Sequence, residues 1–299
     1  MKEPFSGMYA ALMSAMDDAG NLDLNRQRDL TDYVLKQGLR GLYVGGSSGE
    51  SGLLETAALL EQQGVVAECA RGTDHKLIAH VGVPALADSI TLAKSAKKNG
   101  YDALSALPPH SYPFSDAEIY GYYQELAAAT DLPLIVYEIP FRTGRPLPLD
   151  LLVRILDLPN VAGIKFTSND LFKLSQLRRR RPEKLYFFGS DEIFLGAASL
   201  GADGGIGTTY NLFGKLYAAL FAAVTAKDLA RAQPLQTISQ EYVEILMETG
   251  VLPGMKASFR LLGIECGPTR APMAAKVPDV EARLKPFLAR DDVKPWLSV

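Results

Sequence analysis

What is scarce in this chain narrows its chemistry first. Its 299 residues hold two cysteines, Cys69 and Cys266. They lie far apart, form no metal-ligand spacing, and suit a reducing compartment. The three histidines, His75, His80 and His110, are too few and too scattered for a zinc site. No apolar run approaches the ~18–20 residues of a membrane-spanning helix, and the opening MKEPFSG has no apolar stretch of the kind a secretory signal carries. Excess positive charge is missing too: the net charge is -3. The one basic run, Arg178–Arg181, ends a helix-like segment before Pro182, where cations suit a helix C-terminus. Nucleic acid and anionic membranes are therefore not the expected partners. These absences predict a cytoplasmic protein that binds a small molecule and carries neither metal nor other cofactor.

What is present is a regular alternation. Short apolar runs occur at Gly7–Met16, Gly41–Gly46, Lys76–Gly82, Ala103–Leu107, Leu132–Pro140, Val161–Ser168, Leu185–Asp191 and Gly204–Tyr210. Between them lie segments with helical spacing, including Leu24–Gly38, Glu55–Ala70, Leu86–Asn99, Asp170–Arg181 and Leu212–Ala226. Ser115 with Glu118 three residues on forms a capping box at the start of another. Alternating strands and helices mean a parallel sheet, and eight units within residues 1–226 predict a (β/α)8 TIM barrel. A doubly wound sheet is the alternative, but no G-x-G-x-x-G opens a first helix. Residues 227–299 show helical stretches at Gln236–Thr249, Ala257–Leu262 and Pro278–Leu284 and no strand pattern, which predicts a small C-terminal helical appendage.

The chemistry concentrates at the ends of the apolar runs, where a barrel of this kind carries its active site. Lys165 sits in the second half of VAGIKFTS, in a strand that should be buried on both faces. Burying an unpaired ammonium is expensive. Either the side chain snorkels to water from the strand end, or burial depresses its pKa until a neutral amine can attack a carbonyl. The second run ends in Gly45-Gly46-Ser47-Ser48-Gly49-Glu50, whose amides and hydroxyls suit a carboxylate or phosphate, though a plain turn reads the same way. Tyr137 ends the fifth run; its phenol is either a proton shuttle or a core tyrosine with a satisfied hydroxyl. Thr167 follows Lys165 on the same face. Gly189, Asp191 and Glu192 stand at the seventh run and Thr208 and Thr209 at the eighth. Two carboxylates there would repel a phosphate, whereas carboxylates and hydroxyls share hydrogen bonds with a polyol. A 2-keto sugar acid fits the three regions together.

The set GGSSGE, YEIP, GIKFTS, GSDE and GADGGIGTTYN, in this order and spacing along nearly the whole chain, resembles the N-acetylneuraminate lyase and dihydrodipicolinate synthase superfamily, and within it the sialic acid lyases. The resemblance implies a Schiff-base, pyruvate-dependent aldolase, a carbon–carbon lyase that assembles as a homotetramer. It implies that Lys165 forms the Schiff base and Tyr137 relays protons. Ser47 and Ser48 would bind the keto-acid carboxylate, and Thr167, Gly189, Asp191, Glu192 and Thr208 would hold the sugar. Two features depart from the lyase pattern. Phe141-Arg142-Thr143-Gly144 resembles the synthase loop, in which the arginine binds a substrate carboxylate, although an arginine on a plain surface reads equally well. Ser111 stands where many members have a tyrosine that reaches a neighbouring subunit, with Tyr112 as its possible replacement. The synthase, another 2-keto-3-deoxy sugar acid aldolase, and a barrel that only senses a keto acid are the competing functions.

Overall fold

A computed structural model of the chain describes residues 4–297. Eight parallel strands pair in sequence order and close on themselves: β1 Gly7–Ala11, β2 Gly41–Val44, β3 Lys76–His80, β4 Ala103–Ala106, β5 Leu134–Glu138, β6 Val161–Phe166, β7 Leu185–Phe188 and β8 Gly204–Gly207. The (β/α)8 barrel expected from the alternation is the observed fold. Every strand is shorter at its C-terminal end than its apolar run. Gly45-Gly46, Ile139, Thr167, Gly189 and Thr208 leave the ladder and turn over one mouth of the barrel.

The helices between strands are α1 Leu24–Leu35, α2 Thr56–Ala70, α3 Leu86–Lys98, α4 Asp116–Ala128, α5 Pro140–Thr143, α6 Leu149–Leu156, α7 Leu171–Arg180, α8 Phe194–Ser199 and α9 Tyr210–Thr225. The capping box is present: Ser115 Oγ accepts from the Glu118 amide at 3.3 Å, and Glu118 Oε2 accepts from the Ser115 amide at 2.7 Å. Single-turn α5 occupies a stretch expected to be loop, because Pro140 presets the first helical φ and Gly144 closes the turn in the left-handed region. The C-terminal segment adds α10 Leu229–Thr249, α11 Val251–Leu261 and α12 Val280–Leu288. These run longer than their sequence signals, and α10 packs along α9 and against the turn Asp191–Ile193 that follows β7.

Two cores result. Tyr9, Tyr43, Ile78, Ala103, Ile135, Ala162, Leu185, Phe187 and Ile206 fill the barrel interior, while a larger set, including Val136, Val161, Ile164 and Phe166, packs between strands and helices. Strict alternation in β6 would send Val161 outward, Ala162 inward and Lys165 outward. The register breaks instead: Leu134 pairs with Val161 and Ile135 with Gly163, so Ala162 is an extra residue, a bulge. Ile164 and Phe166 then face the helices, and Lys165 faces the lumen, where its amine lies against Tyr43 and Tyr137. Gly163 makes the bulge possible. A Cβ there would stand 2.2 Å from the Leu185 carbonyl oxygen on β7.

Candidate active site

The C-terminal mouth of the barrel opens into a cavity of about 400 Å³, within the size range of small-molecule sites. Ser47, Ser48, Tyr137, Arg142, Lys165, Thr167, Gly189 and Thr208 line it, so residues from five separate strand ends converge as the sequence suggested. A larger cavity, about 680 Å³, lies at the opposite mouth around Arg40, Arg71, His75, Lys76 and Asp102. Lys76 and Asp102 pair there at 2.6 Å.

Lys165 is the centre of the site. Its side chain does not snorkel: it is 4 % exposed. Its Nζ lies 4.2 Å from the Tyr43 ring centre and 4.1 Å from that of Tyr137. Burial pushes the amine from an ordinary 10.5 down to about 7, against the opposing pull of Asp191 and with help from the Arg142 charge. Half of the molecules then carry a neutral amine near neutral pH, against one in a few thousand (~10⁻³–10⁻⁴) for a free lysine.

Tyr137 pairs with Lys165 across β5 and β6. Burial raises its pKa, while the Ser47 hydroxyl, the Arg142 charge and the Thr167 hydroxyl pull the other way. The phenol therefore holds its proton at rest beside a basic amine. Ser48 Oγ and Thr208 Oγ1 lie 2.6 Å apart and join the β2 and β8 loops. Ser47 Oγ, Thr167 Oγ1 and Asp191 Oδ1 are buried without a well-formed hydrogen bond among the described residues. Leaving such atoms unsatisfied costs free energy, and a ligand with hydroxyls or a carboxylate recovers it.

The acidic pair after β7 is placed less directly than its motif suggested. Asp191 does not line the cavity. Its Oδ2 accepts from the Thr209 amide at 2.9 Å and the Thr209 hydroxyl at 2.7 Å, deep in the wall. Burial raises its pKa to about 6, against those hydrogen bonds. Glu192 is half-buried, and its carbonyl accepts from Gln240 on α10 at 3.0 Å. Tyr112 stands apart from the lysine within one chain: it is 74 % exposed and packs edge-on against Phe114.

Three contributors escaped the sequence reading. Gly250, Val251, Leu252 and Pro253 at the start of α11, with Met273 and Ala274 beyond it, form an apolar wall of the same cavity. The segment looked like an appendage because it carries no titratable motif; the cluster Gly250…Pro253-Gly254 ending one helix and starting another was the available signal. Tyr43 was visible only as part of the second apolar run. His80, seen only as a scattered histidine, packs against the Tyr43 and Tyr137 rings, its Nδ1 meeting the Gly45 carbonyl at 3.0 Å and its Nε2 accepting from the Leu107 amide. Burial and nearby Lys165 push its pKa down to about 3, so it stays neutral.

Comparison with known proteins agrees with this geometry. Residues 4–290 match the Dihydrodipicolinate synthetase family. An N-acetylneuraminate lyase of Rhizobium meliloti is 40% identical over 267 residues, covering 89% of this chain and 88% of the relative. The structure of CdNal from Clostridium difficile in complex with mannosamine superposes with a TM-score of 0.92 at 31% identity, covering 98% of this chain and 99% of the other. The N-acetylneuraminate lyase from Fusobacterium nucleatum complexed with pyruvate gives 0.90 at 30% identity, covering 99% and 98%.

Proposed function

Because the chain belongs to the dihydrodipicolinate synthetase family, we propose that it is a class I aldolase that reversibly cleaves N-acetylneuraminate into N-acetylmannosamine and pyruvate. The lyases similar to it along nearly their whole length support the substrate. The observation that carries the chemistry is the buried Lys165 amine, poised near neutrality against the Tyr137 phenol.

In this reading the neutral Nζ adds to the C2 keto carbon. Tyr137 donates its proton as the carbinolamine loses water, which leaves an iminium and a phenolate. The iminium draws in the electrons of the C3–C4 bond. As that bond breaks, the phenolate takes the proton of the C4 hydroxyl, and the sugar aldehyde departs from an enamine. Tyr137 returns the proton to C3, and water hydrolyses the iminium to release pyruvate and the free lysine. Ser47 and Ser48 hold the carboxylate. Thr167, Gly189, Thr208 and Glu192 surround the hydroxylated tail, and Asp191 stands behind them, its Oδ2 fixing Thr209 next to Thr208. The reading also makes the enzyme a cytoplasmic homotetramer. Two free cysteines support the compartment; Phe141 and Tyr112, apolar and 96 % and 74 % exposed in the single chain, support the assembly. Within the C-terminal helical segment, we place Gly250–Pro253 and Met273-Ala274 in the site as its apolar wall.

One observation favours a second reading: Arg142 reaches the cavity, as an arginine that binds the carboxylate of aspartate semialdehyde in a dihydrodipicolinate synthase would. A side-by-side assay decides. Cleavage of N-acetylneuraminate is expected, with a pyruvate-derived mass on Lys165 after borohydride reduction. Asp191→Ala and Glu192→Ala should each cost about 1–3 kcal/mol in kcat/KM toward the sugar acid, with pyruvate labelling little changed. The lyase reading fails if both leave cleavage intact while Arg142→Ala abolishes a strong condensation of pyruvate with aspartate semialdehyde.

A further inference from the structure

Glu50 has no part in the chemistry just described, yet it is among the most constrained residues of the chain. It closes the Ser47–Gly49 turn, with its amide donating to the Ser47 carbonyl at 3.2 Å, and adopts a φ of 56°. A glutamate in that left-handed region stays there only where its surroundings over-determine it. Its side chain supplies the reason. The Lys256 ammonium stands 2.8 Å from Oε1, with the two side chains 1 % and 0 % exposed. Oε2 accepts from the Arg270 amide at 2.6 Å, and Lys256 Nζ donates to the Pro268 carbonyl at 2.6 Å.

These contacts join three segments that are distant in sequence and meet at one cavity. The first carries Ser47 and Ser48. The second is α11, whose opening residues Val251–Pro253 form part of the apolar wall, with Lys256 one turn further on. The third is the loop at 268–270, three residues before Met273 and Ala274, the remainder of that wall. The opposite side of the turn is held by neutral groups alone: Ser14 Oγ donates to the Gly49 carbonyl at 2.6 Å, and Gln62 donates to Ser14 Oγ at 2.7 Å.

Stability alone gives a weak reason for such a pair. Two charges taken out of water recover little more than their desolvation cost, and an apolar pair of similar volume often serves as well. We propose that the Glu50–Lys256 pair is a positioning clamp for substrate binding: it sets the carboxylate-binding turn against the C-terminal wall, so that the two ends of the cavity keep a fixed separation. Glu50 and Lys256 act through the serines and the wall and touch no substrate. The proposal rests on the aldolase reading of the site.

The test separates geometry from stability. Glu50→Gln alone strands a buried ammonium and should lower the melting temperature. The double variant Glu50→Gln/Lys256→Met removes both charges and should recover most of that loss. Pyruvate labelling of Lys165 with borohydride is then followed against pyruvate concentration, well below the melting temperature. For the double variant the half-saturating concentration should rise about tenfold or more, with the labelling rate at saturation within about threefold of wild type. A double variant whose pyruvate dependence stays within about twofold of wild type overturns the clamp and leaves a purely structural pair. If the double variant does not fold, Glu50→Asp keeps the charge and shortens the reach. The same rise is expected, and an unshifted curve overturns the clamp. A wild-type protein that takes no label sinks the aldolase reading itself, and the clamp with it.

Discussion

The residue we propose as nucleophile is shaped by its surroundings. Lys165 differs from the other described lysines in being pressed between two aromatic rings in the barrel lumen, with one carboxylate and one guanidinium acting on it in opposite senses. The amine must be neutral to attack, so the rate of pyruvate adduct formation should rise with pH to a midpoint near 7, falling about tenfold per unit below it. The neighbours give the sign of two further shifts. Asp191 stabilises the ammonium, so Asp191→Asn should move that midpoint to lower pH; Arg142 repels it, so Arg142→Ala should move it higher. Stopped-flow rates across pH check both, and two shifts of the same sign would reject the arrangement. At this scale the sequence was informative wherever a residue's type conflicted with its place. A lysine in a buried strand is such a conflict, and so is a pair of serines among glycines. Asp191 was legible as present but not as turned into the wall, because its partner Thr209 belongs to another strand and only the closed barrel brings the two together.

Elements were read best where their signal is local. The Ser115–Glu118 box at the head of α4 depends on four consecutive residues and forms as the sequence predicts. Its exposed hydrogen bonds make it a clean probe: Ser115→Ala should lower stability by about 1 kcal/mol in urea unfolding without changing pyruvate labelling. Strand ends were read too long for a reason of the same kind. Residues such as Thr167 and Gly189 continue an apolar run on paper, but their backbone leaves the ladder to build the mouth. The lengths of α10 and α11 were underestimated because Pro234 and Pro253 interrupt the pattern; Pro253 stands in the first turn, where a missing amide costs little, while α10 runs on through Pro234 at the loss of one backbone hydrogen bond.

For the whole molecule, the repeat of strand and helix carries the fold almost by itself, while the site needs contacts that no repeat announces. The C-terminal helices supply one wall of the cavity, pack against the β7 turn through Gln236, Ser239 and Gln240, and hold the Ser47–Gly49 turn through the Lys256–Glu50 pair. A chain ending at residue 226 should therefore fail to take label at Lys165 at any accessible pyruvate concentration, even where circular dichroism shows barrel secondary structure. Labelling with wild-type affinity would make the segment dispensable. The bulge in β6 carries a different kind of consequence. One residue added between Gly163 and Lys165 would leave every residue of the strand in place, yet the parity beyond it would reverse and the amine would point into the helical layer, whereas losing Ala162 would only straighten the bulge and leave Lys165 facing the lumen. The chemistry thus depends on a count as well as on identities. Ala162 supplies no atom to the reaction, and neither replacing it by another small residue nor deleting it should turn the amine away, but a one-codon insertion after Gly163 would silence the enzyme. An inventory of catalytic residues would find nothing missing from such a gene.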